Sequence, residues 1–157
     1  GFTGHKSPDI LLRMLEQDFE WDSCQMPINV LDAHYRSFQR RVLPELNRRG
    51  IAALGMKSLG GRGQLVTDAG ISPSECRGYA LSLPISCLIV GCESIENLEQ
   101  ELDIARNFQP MSEARQAELL EQVRHEAGDG RHEWFKSTQH FDGPYHRTQH
   151  GFPLDTR

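Results

Sequence analysis

The chain has no basic excess, no long apolar run and few cysteines, and each shortage closes a class of function. Seventeen Lys and Arg against 22 Asp and Glu leave a formal charge of −5, with a pI near 5.8. That balance argues against nonspecific nucleic-acid binding, which needs clustered positive surface. No apolar stretch is long enough to span a bilayer and no signal peptide is seen, so no membrane partner is expected. The four cysteines, Cys24, Cys76, Cys87 and Cys92, form no CxxC pair. Reduced thiols in a cytoplasmic protein are the reading that follows. Neither a P-loop nor a GxGxxG fingerprint occurs. The histidines after Gly128, at His132, His140, His146 and His150, are scattered among Gly, Pro, Asp and Arg and include no HExxH motif, so no metal site is assigned.

What is present suffices for one domain: 157 residues, with an apolar share at the low edge of the globular range. The chain opens on Gly1-Phe2-Thr3, as though partway into a strand, and reads as a piece of something longer.

Residues 84–108 organise the rest. Leu88, Ile89 and Val90 form a short run rich in β-branched residues that stops at Gly91, the composition of a strand buried on both faces. Ser94 is placed to cap a helix, and Ile95, Leu98, Leu102 and Ala105 fall on one helical face. Strand, glycine turn and helix start aim unpaired N–H groups and a positive dipole end at one spot, where a phosphate could bind. The same unit also serves, with no ligand, as a plain core-building βα element.

Upstream, Gly1 to His5 reads as a strand end and a turn. Ser7-Pro8 opens a helix with Ile10, Leu11, Met14 and Phe19 inward, widened by Leu12 and Leu15. Residues 22–30 read as a second strand that breaks at Pro27. A helix from near His34 carries Phe38, Val42, Leu43 and Leu46 inward and ends at Arg48-Arg49-Gly50. Residues 51–56 make a third strand, followed by the glycine-rich loop 57–64. Ser72-Pro73-Ser74-Glu75 has the form of a capping box and opens a helix through Tyr79 and Leu81. Residues 112–126 form an amphipathic helix with Ala117, Leu120 and Val123 on its face. After Gly128 the pattern dissolves into a solvated tail, with Trp134, Phe135, Phe141 and Tyr145 as anchors on the body.

Strand and helix therefore alternate four times, which implies parallel pairing with right-handed crossovers. The α/β arrangement is half of an eight-unit (β/α)8 TIM-type barrel over residues 1–127, with a C-terminal extension at 128–157, or else an open doubly wound sheet.

Four motifs occur in one order: Gly1-Phe2-Thr3-Gly4-His5, Gln25-Met26-Pro27-Ile28-Asn29, Met56-Lys57-Ser58-Leu59-Gly60-Gly61, and Val90-Gly91-Cys92-Glu93-Ser94-Ile95-Glu96-Asn97-Leu98. The series resembles the C-terminal half of the aldo-keto reductase family over roughly residues 1–125. The resemblance implies a barrel that binds NADP(H), or NAD(H), in extended form across the C-terminal strand ends.

Position by position, it implies that Thr3 and its neighbours Gly4 and His5 hold the nicotinamide carboxamide, with Gly4 where the family usually has asparagine. Gln25 matches the glutamine on the same carboxamide. Met56 replaces a tyrosine stacked on the nicotinamide ring, and a thioether can also pack on a ring. Lys57, Ser58, Leu59, Gly60 and Gly61 match the loop beside the pyrophosphate. Gly91, Cys92, Glu93 and Ser94 match the segment around the adenosine 2′-phosphate. Asn97 and Gln100 stand where arginine and glutamate are frequent. Glu93 suits a ribose hydroxyl better than a phosphate, which places NAD(H) slightly ahead of NADP(H).

The family's catalytic tyrosine, aspartate, lysine and histidine lie on strands with no counterpart here. Tyr35, Tyr79 and Tyr145 are not at strand ends, so no catalytic residue is assigned. The expectation is a cofactor-binding fragment of an oxidoreductase acting on a small carbonyl substrate, inactive alone and partnered by a missing N-terminal half barrel. A noncatalytic nucleotide-binding or regulatory half barrel is the alternative.

Overall fold

Among the described residues, four short strands pair in the order in which they occur along the chain: β1 (Phe2–Thr3), β2 (Ser23–Pro27), β3 (Ala52–Met56) and β4 (Cys87–Leu88), all parallel. The structure, a computed structural model, describes residues 1–136, 143–149 and 151–154. Phe2, Cys24 and Ala53 share one row of the sheet, and Thr3, Gln25, Leu54 and Cys87 the next. Successive side chains point to opposite faces, so these rows mark two different surfaces. Cys24, Met26 and Ala53 are fully buried, whereas Gln25, Leu54 and Met56 are half-buried and Thr3 and Cys87 exposed.

The helices cover the first of these faces. Leu11 and Leu15 of α1 (Pro8–Leu15), Phe38 of α2 (Phe38–Arg41), and Leu43 and Leu46 of α3 (Leu43–Arg49) pack with Cys24, Met26, Ile28 and Ala53. Ala80 of α5 (Pro73–Leu81) joins them. A second cluster gathers Leu65 of α4 (Gln64–Thr67), Cys76 and Tyr79 of α5, and Leu119, Val123 and Ala127 of α7 (Glu113–Ala127). Among the described residues no helix is long and apolar enough to cross a membrane.

Cap chemistry sets the boundaries. Ser7 accepts from the Asp9 N–H, and Ser72 with Glu75 closes a full capping box. The helix expected from near His34 starts instead at Phe38. The carboxylate of Asp32 accepts from the Phe38 and Gln39 N–H groups at 3.0 and 2.9 Å, so residues 31–36 turn before the helix begins. Pro44 near the start of α3 divides the segment in two at Val42.

Several inward assignments move. Phe19 is 63% exposed, stacking on Trp21 at 4.3 Å between centroids, and Leu15 fills the core in its place. On α7 the buried side is Leu119, Val123 and Ala127, while Ala117 is exposed. The strand at 88–90 is not buried on both faces: pairing covers only Cys87 and Leu88, Cys87 is exposed, and Ile89 is 42% exposed. Nor is the face of α6 (Ile95–Arg106) covered. None of its residues is buried, and Ile95, Leu98 and Leu102 stand in solvent.

In the C-terminal extension, Glu133, Phe135 and Lys136 are buried against the body, whereas Tyr145 on α8 (Pro144–Gln149) is 70% exposed. His140, Phe141 and His150 lie outside the described residues.

Candidate functional site

The site begins at a turn rather than at a strand. Asn29, fully buried just past β2, accepts the Leu31 and Asp32 N–H groups on Oδ1 and donates from Nδ2 to the Lys57 carbonyl at 3.2 Å. Lys57 follows β3 with φ of +58°, a left-handed conformation that costs a nonglycine residue about 1 kcal/mol. The Gly60 N–H closes the turn onto the Lys57 carbonyl at 2.8 Å. A buried amide thus fixes the start of the glycine-rich loop.

Beside this loop lies a cavity of about 580 Å³ at the C-terminal ends of β3 and β4. Gln25 and Met56 line it from the sheet, in contact through Gln25 Nε2 and Met56 Sδ at 3.6 Å. Lys57, Leu59 and Gly61 line it from the loop. Gly91, Glu93, Asn97 and Gln100 line it from the β4–α6 turn and α6. A Cβ on Gly91 would meet nothing within 4 Å, so the backbone there is open to close approach. These nine residues come from three of the four segments expected to meet; the Gly1–His5 segment does not reach the wall.

The remaining expected residues sit beside the cavity rather than in its wall. Thr3 shares a sheet row with Gln25, and its hydroxyl donates to the Gln25 carbonyl at 3.0 Å. Gly4 has a packing reason: a Cβ there would stand 2.8 Å from Leu11 Cδ2. His5 lies edge-on to Phe135, its pKa lowered by burial and by Lys57 and Lys6. Ser58 is fully buried, Gly60 serves the turn, and Cys92 is exposed. Ser94 caps α6 by accepting the Asn97 N–H at 3.2 Å.

Sequence reasoning missed Arg77, Glu101 and the role of Arg62, all of which line this cavity. Arg77, on α5 and almost fully buried, donates to Ser58 Oγ and holds Glu101 of α6 through Nε at 2.9 Å. It ties the loop to a helix that buries no residue of its own. An arginine among the apolar positions of a core-facing helix was the available signal. The Arg62 guanidinium carbon lies 4.7 Å from the Trp134 ring centroid.

A buried charge cluster adjoins the site. Lys136 Nζ reaches Asp32 Oδ1 at 2.7 Å and the Tyr35 carbonyl at 2.6 Å, and lies 2.9 Å from Glu133 Oε2. Neither Glu133 oxygen has a well-aligned hydrogen bond. Burial pushes the Glu133 carboxyl upward despite the attraction of Lys136.

None of the three tyrosines stands in the cavity wall. The Tyr79 hydroxyl is buried on Gln39 at 2.8 Å, with its pKa raised by burial. The thiols of Cys24 and Cys76 are pushed up to about 12 by burial, which leaves them unreactive. Another cleft of about 590 Å³, between α5 and α6, shares Gln100 but lies away from the strand ends. Ligands of parallel α/β sheets bind at those ends, which favours the first cavity.

No family model, curated protein or solved structure matches this chain.

Proposed function

We propose that this chain is the cofactor-binding part of a nicotinamide-dependent oxidoreductase of aldo-keto reductase type, with a small carbonyl compound as substrate. One observation carries the reading. Nine positions marked by the resemblance, from three of its four segments, line one cavity at the C-terminal strand ends.

The residues present fit an extended dinucleotide. Gln25 offers an amide for the carboxamide, and Met56 a polarisable surface for the ring. Lys57, Arg62 and the open glycine backbone suit a pyrophosphate. Glu93 and Asn97 suit an unmodified adenosine ribose, because Glu93 repels a 2′-phosphate and the nearest buried guanidinium, Arg77, is paired with Glu101. The cofactor supplies the hydride chemistry; this chain binds and orients it. The proton donor belongs to another part of the protein.

Sequential parallel order, helices on one face and two edge strands unpaired among the described residues support a half barrel. A further set of four βα units completes eight strands, covering the half-exposed face of Gln25, Leu54 and Met56 and the apolar stripe of α6.

The test is nucleotide binding by the pure chain, followed by calorimetry. ADP-ribose binds, Gln25→Ala leaves that affinity unchanged while weakening NADH, and the 2′-phosphorylated form of ADP-ribose binds more weakly than ADP-ribose. No aldehyde is reduced. Turnover by the isolated 157 residues, or no binding of either nucleotide, refutes the reading. A discrete, stable dimer on size exclusion favours the regulatory-module alternative.

A further inference from the structure

Trp134 and Phe135 belong to the C-terminal extension, yet they sit against the loop that carries the cavity's cations. Lys57 Nζ lies 5.3 Å from the Phe135 ring centroid, and Arg62 lies over Trp134. Both cations also line the cavity. Phe135 occupies the space beside Gly61: a Cβ on that glycine would stand 3.2 Å from two of its ring atoms. With φ of +93°, Gly61 is doubly constrained, by its backbone and by this ring.

What keeps the two rings in place is the next residue. Lys136 is fully buried, and its ammonium joins Asp32 at the far end of the turn that begins with Asn29. Asp32 in turn accepts the first N–H groups of α2. The extension is therefore riveted to the same short turn that holds the Lys57 carbonyl.

We propose that Trp134 and Phe135, riveted by Lys136, are positioning residues for the diphosphate of the bound dinucleotide, acting through Lys57 and Arg62. The proposal rests on the dinucleotide reading of the cavity. A lysine or arginine side chain loses much rotamer freedom when it engages a ligand. An aromatic face attracts the cation from one side and leaves its other side to an anion. Part of the ordering is then complete before the ligand arrives, and affinity rises. The glycine-rich loop, costly to order, gains the same support.

The experiment uses the full chain in a Trp21→Phe background, where Trp134 is the only tryptophan. Inorganic pyrophosphate and ADP-ribose change Trp134 emission saturably. Phe135→Leu, which keeps an apolar side chain, weakens both about tenfold with the far-ultraviolet circular dichroism unchanged. Adenosine affinity, measured by calorimetry, stays within twofold, and Phe135→Tyr restores pyrophosphate binding. A purely structural defect lowers adenosine and pyrophosphate binding together. That parallel loss, or unchanged pyrophosphate affinity in Phe135→Leu, overturns the positioning role while leaving the cavity reading intact. If the parent chain binds neither pyrophosphate nor ADP-ribose, both readings fall together.

Discussion

Lys57 combines a left-handed backbone with a charged side chain at the cavity wall. The two properties separate on substitution. Lys57→Gly relieves the backbone cost and stabilises the fold by up to about 1 kcal/mol, while it removes a cation and weakens pyrophosphate. Thermal melting and calorimetry on one variant read the two effects with opposite signs. Gly4 makes the converse case. Placing asparagine there drives a Cβ into Leu11, and Gly4→Asn costs about 1–3 kcal/mol, the range of overpacked cores. Glu133 gives a pH dependence. Its carboxyl is pushed from an ordinary 4.5 up to about 7, chiefly by burial, with Asp32 also raising it and Lys136 opposing. The folded state then keeps a proton that the unfolded chain has lost. The stabilisation is full below about pH 4.5 and falls as pH rises toward 7. Glu133→Gln removes this slope, so its melting temperature gains on the parent by a few degrees between pH 4.5 and 7.5. A constant difference across that range contradicts the assignment. At this scale the sequence was legible at the caps, where Ser72 and Ser94 accept the first-turn N–H groups their positions suggested. It was silent on Asn29 and Lys136, whose partners are 28 and 104 residues away.

Helix α6 shows the limit of periodicity as a guide to elements. Its apolar spacing and its Ser94 cap were readable, and the helix forms over Ile95–Arg106. Periodicity alone does not say whether an apolar stripe has found its partner, and here Ile95, Leu98 and Leu102 remain exposed. Apolar packing is weak along this helix, so the Arg77–Glu101 pair, 6% and 11% exposed, carries much of its attachment. Arg77→Met leaves Glu101 without its partner and costs about 3–5 kcal/mol. Amide exchange within α6 then accelerates ahead of α1 and α3. Adding Glu101→Leu recovers most of the loss; a double variant no better than the single one places the defect elsewhere in α5. The split of 34–50 into a turn and two helices was hidden for a different reason. Asp32 reads as an ordinary polar residue until its carboxylate is seen on two N–H groups of the next helix.

For the whole molecule, the alternation of strand and helix was enough to give four parallel strands. Exposure of one sheet face was not readable, because the half-apolar rows of β2 and β3 suit either a buried or an open surface. That open face and the α6 stripe set the solution behaviour. Replacing Leu98 and Leu102 with lysine lowers self-association on size exclusion without lowering the melting temperature, since neither side chain is buried. A lower melting temperature shows instead that the stripe is packed in solution. The loop after β3 is held at both ends by parts of the frame: Asn29 and Arg77 grip residues 57 and 58, while Leu65 and Ile71 are sunk in the core beyond it. Between those anchors Gly60, Gly61 and Gly63 hold positive φ and Leu59 packs on the core, which leaves Arg62 as the exchangeable position. A library confined to position 62 varies the charge offered to an anion while the turn and its packing stay intact, so new ligand preferences can be selected without first repairing stability.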